Sequence, residues 1–487
     1  MKLIRIPLLL LTISLITSCS KSFLDVNTDP NSPTDVPIKT LLPVSTVGLG
    51  WASSNELGRT AAILMQYNAG ISGNAASYDQ WILSSLDNQW NSEIYHGTLN
   101  NLEILLSKTE GSSFAYSGIA KLEKAYIISI ATDLWGDVPY TEAGKGLIYP
   151  QPRFDLQQDI YLGNSSKGVQ SLFSLVREGI ADLGKASVKS PSDDDIVYNG
   201  NLSKWIRAGN SLLLKFALQV SNVAPDTTKA VINAVLTNAA TTTPFIDAID
   251  GSLDLNIPFS SANPNAYYLQ DFGGSIPNTE MLGNRFLALE RVLNDSLRLS
   301  KMYTKPAPTF IGYDNASPFA APAIGIRSVY GNYVTGTAGN APVRLLTAFR
   351  NYFILAEAAL MFGTTGDANT YYQNGIKAAM KSVGLTDAEI TAYFTANPTI
   401  VTLTGTTADK RLQILVQKYV SSVGNAIESY NDYRRTGLPV LIKPLVTQGD
   451  DPNTFPKRFP YTSNEGDANP NQPSPRPLTN VKVWWGL

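Results

Sequence analysis

The chain is poor in the residues on which most enzyme chemistry rests. It holds one cysteine, Cys19, and one histidine, His96. Beyond Cys19 there can be no disulfide within the folded part, no zinc–thiolate site and no cysteine nucleophile, so stability must come from packing. A Ser–His relay or a histidine metal site needs partners of matching type that a lone histidine lacks. His96, between Ile94 and Leu102, reads as a helix residue. No glycine-rich phosphate loop, dinucleotide fingerprint or HExxH is present, and no cofactor or metal is expected. The nearest approach to a metal loop is Asp25-x-Asn27-x-Asp29. It fails because Pro30 stands where a calcium loop needs glycine and Val36 where it needs a bidentate glutamate. Basic surplus is also missing. The formal charge is −2, and two units more negative without Lys2 and Arg5, which argues against a nucleic-acid partner. The one catalytic design left open is a pair of carboxylates across a cleft. The densest acidic run, Asp193-Asp194-Asp195 beside Pro191 and Ser192, reads as a solvated loop.

What is present begins with an export signal. Lys2 and Arg5 form a cationic head, Ile6 to Ile16 is almost wholly apolar, and Ile16-Thr17-Ser18-Cys19 ends in small residues before the cysteine. The apolar run is shorter than the ~20 residues of a spanning helix and polar sequence follows at once, so it reads as a cleaved signal. Residues 16–19 resemble a bacterial lipobox, which implies cleavage before Cys19 and lipid on its thiol. Two or more acyl chains anchor firmly at ~0.8 kcal/mol per buried CH₂.

Residues 1–18 are therefore read as signal, 19–43 as a polar, proline-bearing tether, and 44–487 as the folded part. Helical spacing recurs at Leu57, Ala61 and Leu64; at Trp90, Ile94 and Leu105; from Tyr116 to Leu134, stopped by Gly136; from Val169 to Leu183; and from Leu202 to Val220. Strand-like alternation is scarce. Between about 241 and 342, frequent proline and glycine with many aromatics read as an ordered, loop-rich lobe. Helical order is expected again from Arg344 to Gly363. A partner helix follows with Ala368, Tyr372, Gly375, Ile376 and Ala379 inward, its small residues allowing close approach, and Arg411–Tyr419 and Glu428–Arg435 are the last helical pieces. Such a pair resembles a tetratricopeptide unit. The expected fold is mostly α: a scaffold of tetratricopeptide-like helical hairpins over about 44–240 and 343–438, an irregular lobe over about 241–342, and a coil tail over 439–487, with Trp484 and Trp485 pinning its end.

Several stretches carry a family resemblance. Ala356-Glu357-Ala358 with Gly366-Asp367-Ala368, Ile414 to Tyr419, and Asp432-Tyr433-Arg434-Arg435-Thr436-Gly437 are similar to segments of SusD/RagB-type nutrient-binding outer-membrane lipoproteins. So are Phe23 to Asn31, Leu134-Trp135-Gly136-Asp137-Val138-Pro139-Tyr140, Trp205-x-x-x-x-Asn210-x-Leu212, and Arg458-x-x-Tyr461 with Glu465 and Asn469. One departure is Ser20-Lys21-Ser22, which lacks the acidic cluster often seen after the cysteine in surface-exported members. The resemblance implies a lipid-anchored protein at the outer membrane, facing the exterior. It would bind an oligomeric nutrient, usually a glycan and sometimes a peptide, and deliver it without chemistry to a SusC-like TonB-dependent transporter.

A site for sugar wants flat aromatics for the apolar ring faces and Asn, Gln, Asp or Arg for the hydroxyls. Two stretches meet that description. One, Tyr67 to Gln89, carries Tyr67, Asn68, Asn74, Tyr78, Gln80 and Trp81; the other, Asn263 to Asn278, carries Asn265, Tyr267, Tyr268, Gln270 and Phe272. The same rings could instead pack the lobe onto the helices, as most aromatics do. Two other functions fit the sequence: a carboxylate glycoside hydrolase on an α scaffold, and a helical-repeat scaffold that binds only proteins.

Overall fold

A computed structural model describes residues 36–83, 86–146, 148–239, 244–273 and 277–487. The signal, Cys19 and the Asp25-x-Asn27-x-Asp29 run lie outside the described residues. The first half is built from α1 (Ile38–Ser54), α2 (Glu56–Leu64), a π-helix (Gln89–Leu99) running straight into α3 (Asn100–Thr109), and α4 (Phe114–Trp135). These are followed by α5 (Leu172–Leu183), α6 (Leu202–Gln219) and α7 (Pro225–Ala239). The second half adds α8 (Ala348–Phe362), α9 (Ala368–Ser382), α10 (Asp387–Ala396), α11 (Thr407–Val420) and α12 (Ala426–Thr436). Their ends follow local chemistry. The side chains of Ser171 and Asp367 accept from the backbone N–H three residues on, at 2.9 and 2.7 Å, while Gly136 and Gly437 close α4 and α12 with φ of 93° and 71°.

The hairpins are held together by close backbone approach. A Cβ on Gly375 of α9 would lie 2.7 Å from the Phe353 ring of α8, and one on Gly118 of α4 would lie 2.8 Å from the Gly179 carbonyl of α5. The small residues of α9 therefore act as the sequence suggests.

The few strands pair distant parts of the chain. β1 (Asn68–Gly70) pairs with β5 (Glu280–Leu282), β2 (Val138–Pro139) with β3 (Phe154–Asp155), and β4 (Leu255–Ile257) with β6 (Val343–Leu346), all antiparallel. β6 corrects the expectation that helix resumes at Arg344. Val343 to Leu346 are extended because they pair with the lobe, and α8 starts only after Thr347, whose side chain caps it. The scaffold also starts earlier than residue 44, since α1 reaches back to Ile38 inside the segment read as tether. Asp193-Asp194-Asp195 is not a solvated loop. Asp194 accepts from the Tyr116 hydroxyl at 2.7 Å, and Asp195 accepts from the Trp205 indole at 2.8 Å and from three backbone N–H groups. Only Asp193 stays exposed. The tail is anchored by buried Phe459, Tyr461, Val483 and Trp485 and includes a short helix, Ser463–Ala468. Tyr461 donates to the Asp137 carbonyl at 2.7 Å and Trp135 to the Pro460 carbonyl at 2.9 Å, so two of the resembling motifs close on each other.

Between the halves runs a buried ionic network. Arg435 grips Glu357 with two bonds of 2.8 and 2.7 Å and reaches Asp432 at 3.0 Å; Lys418 meets Asp432 at 2.8 Å; Arg350 joins Glu428 at 3.0 Å; and Lys215 lies 3.2 Å from Glu428 and 3.8 Å from Asp133. Burial works against ionisation of Asp432, but Lys418, Arg350 and Arg435 together hold its carboxyl well below the usual range.

Other buried carboxyls go the opposite way. Burial pushes Glu123, bonded only to Thr46 and Ser45 hydroxyls among the described residues, up to about 8, and Asp254 up to about 7. A carboxyl raised in the folded state binds protons that the unfolded chain, at about 4, has released, so its contribution is fully present below about pH 4 and lost as pH rises toward 8. Depressed carboxyls such as Asp432 contribute the reverse, lost only below about pH 4. The urea midpoint is therefore expected to be higher at pH 5 than at pH 8. Glu123→Gln should flatten that difference, and an unchanged slope in the variant would refute the assignment.

Candidate ligand-binding groove

The chain breaks between α1 and α2 at Asn55, whose backbone leaves the helical region (φ −74°, ψ −141°). Its side chain is not used as a cap. Instead its Nδ2 donates to Glu93 Oε1 at 2.6 Å and its Oδ1 accepts from Gln270 Nε2 at 3.2 Å. One residue thus ties together the helical scaffold, the π-helix and the lobe. Glu93 sits on the π-helix, a geometry that recurs at functional sites, and Gln89 one turn earlier donates to the same oxygen at 3.1 Å. α1 packs tightly here: a Cβ on Gly48 would lie 2.7 Å from Thr98 Oγ1.

Two cavities flank this junction. The polar one, of about 410 Å³, is lined by Asn55, Glu56, Asn74, Tyr78, Leu86, Asp87, Asn88 and Gln89. Tyr78 donates to Glu56 Oε1 at 2.8 Å and fixes one wall. The other, of about 760 Å³, is mainly apolar, with Val44, Val47 and Trp51 of α1 facing Pro258, Phe259, Pro264 and Leu269 of the lobe. Trp51 and Asn55 are one turn apart and Leu269 adjoins Gln270, so an apolar wall and an amide-lined wall meet at one place.

The junction has unused hydrogen-bonding capacity. Gln270 Oε1 and Glu93 Oε2 are buried without a well-formed partner, although the Trp51 indole lies beside the Glu93 carboxylate. Burial pushes Glu93 up to about 7 against the opposing amides of Asn55 and Gln89. Asp79, raised by burial to about 7, accepts from Gly70 N at 3.0 Å, Asn315 Nδ2 at 2.5 Å and Ala316 N at 2.6 Å. This clamps the lobe onto the strand that enters the groove region.

The two stretches singled out in the sequence do come together, but their residues divide. Asn74 and Tyr78 line the polar cavity, and Gln270 bonds Asn55 of its wall. Tyr268 is half-buried with its ring 5.5 Å from that of Phe272, which is 48% exposed. Five others lie inside. Tyr67 stacks on Tyr419 at 4.5 Å and donates to its carbonyl at 2.6 Å. Asn68 pairs with Glu280 at 3.1 Å, and Trp81 packs edge-on against Phe455 at 5.9 Å. Asn265 donates to the Val334 and Ala341 carbonyls at 3.0 and 2.8 Å and accepts from Tyr268 N at 2.9 Å, and Tyr267 donates to the Gly424 carbonyl at 3.0 Å. A buried polar group must be paired; Asn68 and Tyr267 join lobe to scaffold in this way, while Asn265 ties the lobe to itself. Sequence reasoning missed Trp51, Asn55, Glu56 and Glu93, and reached Gln89 only as the end of its first stretch. The available signal was a run of polar residues on otherwise apolar helical stretches.

Residues 30–462 match the family model SusD-like_2, described as starch-binding and associating with the outer membrane. The chain belongs to this SusD-like family. A comparison with curated proteins finds no match. Among solved structures, a chitin-binding protein superposes with a TM-score of 0.77 at 22% identity, covering 93% of this chain and 100% of that one. A chitin-binding SusD homologue from Flavobacterium johnsoniae gives 0.76 at 19% identity, covering 92% and 98%. A SusD/RagB family protein from Bacteroides thetaiotaomicron gives 0.75 at 20%, covering 93% and 100%. These likenesses establish the SusD-like helical fold expected from the sequence.

The division between packed and groove-facing residues is measurable. Asn265→Ala should lower stability by ~1–3 kcal/mol because it strands two buried carbonyls and an N–H. Phe272→Ala should change it by less than about 0.5 kcal/mol. Equal losses in chemical denaturation would contradict the division.

Proposed function

We propose that this SusD-like protein captures an oligomeric glycan in the groove at Asn55 and delivers it to a SusC-like TonB-dependent transporter, without chemistry on the ligand. The observation that carries the reading is the meeting of the Trp51–Leu269 wall with the amides of Asn55, Gln89 and Gln270. A sugar ring offers an apolar face edged by hydroxyls, and such a two-sided wall complements it. The family description and the chitin-binding names of two similar structures favour a glycan over a peptide. Anchoring through lipid on Cys19 is supported by the lipobox-like residues 16–19, and the family description, associating with the outer membrane, supports a location there. No helix among the described residues is long and apolar enough to cross a membrane.

Isothermal titration of the mature chain against malto-oligosaccharides, chito-oligosaccharides and short peptides tests the capture reading. Binding of an oligosaccharide without turnover is expected, and Trp51→Ala should weaken it about tenfold, the equivalent of ~1.4 kcal/mol. Turnover abolished by one Asp or Glu substitution would replace capture with hydrolysis, and no binding across the panel would shift the protein to a scaffold role. Anchoring is tested separately: Cys19→Ala should move the protein from the membrane to the soluble fraction, and persistent membrane association would refute the tether.

A further inference from the structure

The chain enters the described residues at Val36, and a cavity of about 740 Å³ opens at that point. Val36, Ile38 and Lys39 at the start of α1 form one side of it. Lys108, in the last turn of α3, and Val188 and Lys189, in the loop after α5, form others. Tyr116 of α4 also lines it, with its hydroxyl taken by Asp194 at 2.7 Å. Three lysines thus border one space, and no acidic residue is among the described residues that line it. Lys39 has Asp193 at 4.0 Å, a pair exposed on both sides and therefore weak. Val188, 78% exposed, adds an apolar surface at the rim.

The backbone contributes to the same positive field. α1 and α4 both begin at the cavity, through Pro37 and Ser113. Neither start is capped by a side chain, and neither has an acidic residue in its first turn. In α4 the Ala115 N–H is met by the Ser187 hydroxyl at 3.1 Å. The first N–H groups of a helix carry partial positive charge and favour carboxylates. The sequence that leads into the cavity has the opposite character. Residues 20–35 hold Asp25, Asp29 and Asp35 against one cation, Lys21, together with the apolar Phe23, Leu24 and Val26. Asp35 is joined directly to Val36, and Asp29 is within ~25 Å of extended chain from it. Covalent continuity gives such a segment an effective concentration of about millimolar.

From this juxtaposition we infer that the cavity is the seat of the chain's own residues 23–35. Asp25, Asp29 and Asp35 are set against Lys39, Lys108, Lys189 and the two helix starts, and Phe23, Leu24 and Val26 against Ile38 and Val188. The inference goes beyond glycan capture and does not need it. An anionic lipid headgroup would answer the charge as well, but its apolar part belongs in the bilayer and leaves Ile38 and Val188 uncovered. Where Cys19 carries lipid, the seat also sets orientation. Only Ser20, Lys21 and Ser22, ~10 Å of chain, then separate lipid from seat, in place of the ~50 Å or more that the run from Cys19 to Val36 could span. The first turn of α1 is held near the membrane, and Asn55, at the far end of that helix, stands up to ~25 Å further out.

Hydrogen exchange of the detergent-solubilised mature chain, read by mass spectrometry, tests the seat. Amides of residues 23–35 should exchange about tenfold or more slowly than those of a synthetic peptide of residues 20–35. Lys39→Glu with Lys189→Glu, both at exposed positions, should remove most of that slowing while thermal unfolding stays unchanged. If that chain unfolds early, Lys39→Gln with Lys189→Gln replaces it. Asp25→Lys with Asp29→Lys, added to the doubly substituted chain, should restore the slowing. Exchange at the rate of the free peptide would overturn the inference, and weaker pelleting of the doubly substituted chain with phosphatidylglycerol vesicles would then assign the cavity to lipid. Slowing that survives the lysine substitutions, or that the reversed pair fails to restore, would overturn it too, because the segment would be held by other contacts. None of these results bears on oligosaccharide affinity, which the titration above tests by itself.

Discussion

Glu357, on α8, is fully buried with its two oxygens held by the forked guanidinium of Arg435 on α12, and Arg411 of α11 adds a third bond at 2.9 Å. Removing such charges from water costs several kcal/mol per ion, and only near-ideal geometry repays it. The geometry extends outward through Asp432, Lys418, Arg350, Glu428, Lys215 and Asp133, so that α4, α6, α8, α11 and α12 share one chain of alternating charge. An apolar core tolerates sliding of one helix along another. A bidentate pair does not, because a shift of one turn would strand a buried charge. The network fixes which helix faces which, and the rest of the architecture is built on that register.

The network also reaches the end of the chain. Asp133 accepts from Tyr161 at 2.8 Å, from Asn431 at 3.0 Å and from the indole of Trp485 at 3.1 Å. Arg434, beside Arg435, donates to the Asp133 carbonyl at 2.6 Å and lies over the Trp485 ring at 4.8 Å. A tail with little regular structure is thereby held as firmly as a helix, through polar anchors placed on a rigid surface.

The groove follows from the same economy of construction. The scaffold supplies α1, α2 and the π-helix as a fixed floor; the lobe is fastened to it by β1–β5, by Asp79 and by Tyr267. What is left over at the seam is the junction of Asn55, Glu93 and Gln270, where the break between two helices meets the short helical segment Leu269–Gly273 of the lobe. Binding surfaces gather at such seams because polar side chains there are held in place yet are not fully used by the fold.

The helical character was legible because apolar residues at helical spacing are a local property. Tyr116 to Leu134, Leu202 to Val220 and the Gly375 face declare themselves without knowledge of their partners, and the family resemblance of Glu357, Asp432 and Arg435 marks residues whose type is dictated by one network. The choice of residues for the site was only partly legible. Composition singled out Tyr67 and Tyr267 as readily as Tyr78 and Gln270, since an aromatic ring beside an amide looks alike in sequence whether it faces a core or a cavity. Pairing between residues remote along the chain decided the matter: Tyr67 meets Tyr419, Asn265 meets Ala341, and Asn55 meets Gln270. By itself the sequence determined a mostly α scaffold. Which strands pair, which aspartates are buried and which amides border the groove were decided only by the tertiary structure, because each depends on a partner that is close in space and remote along the chain.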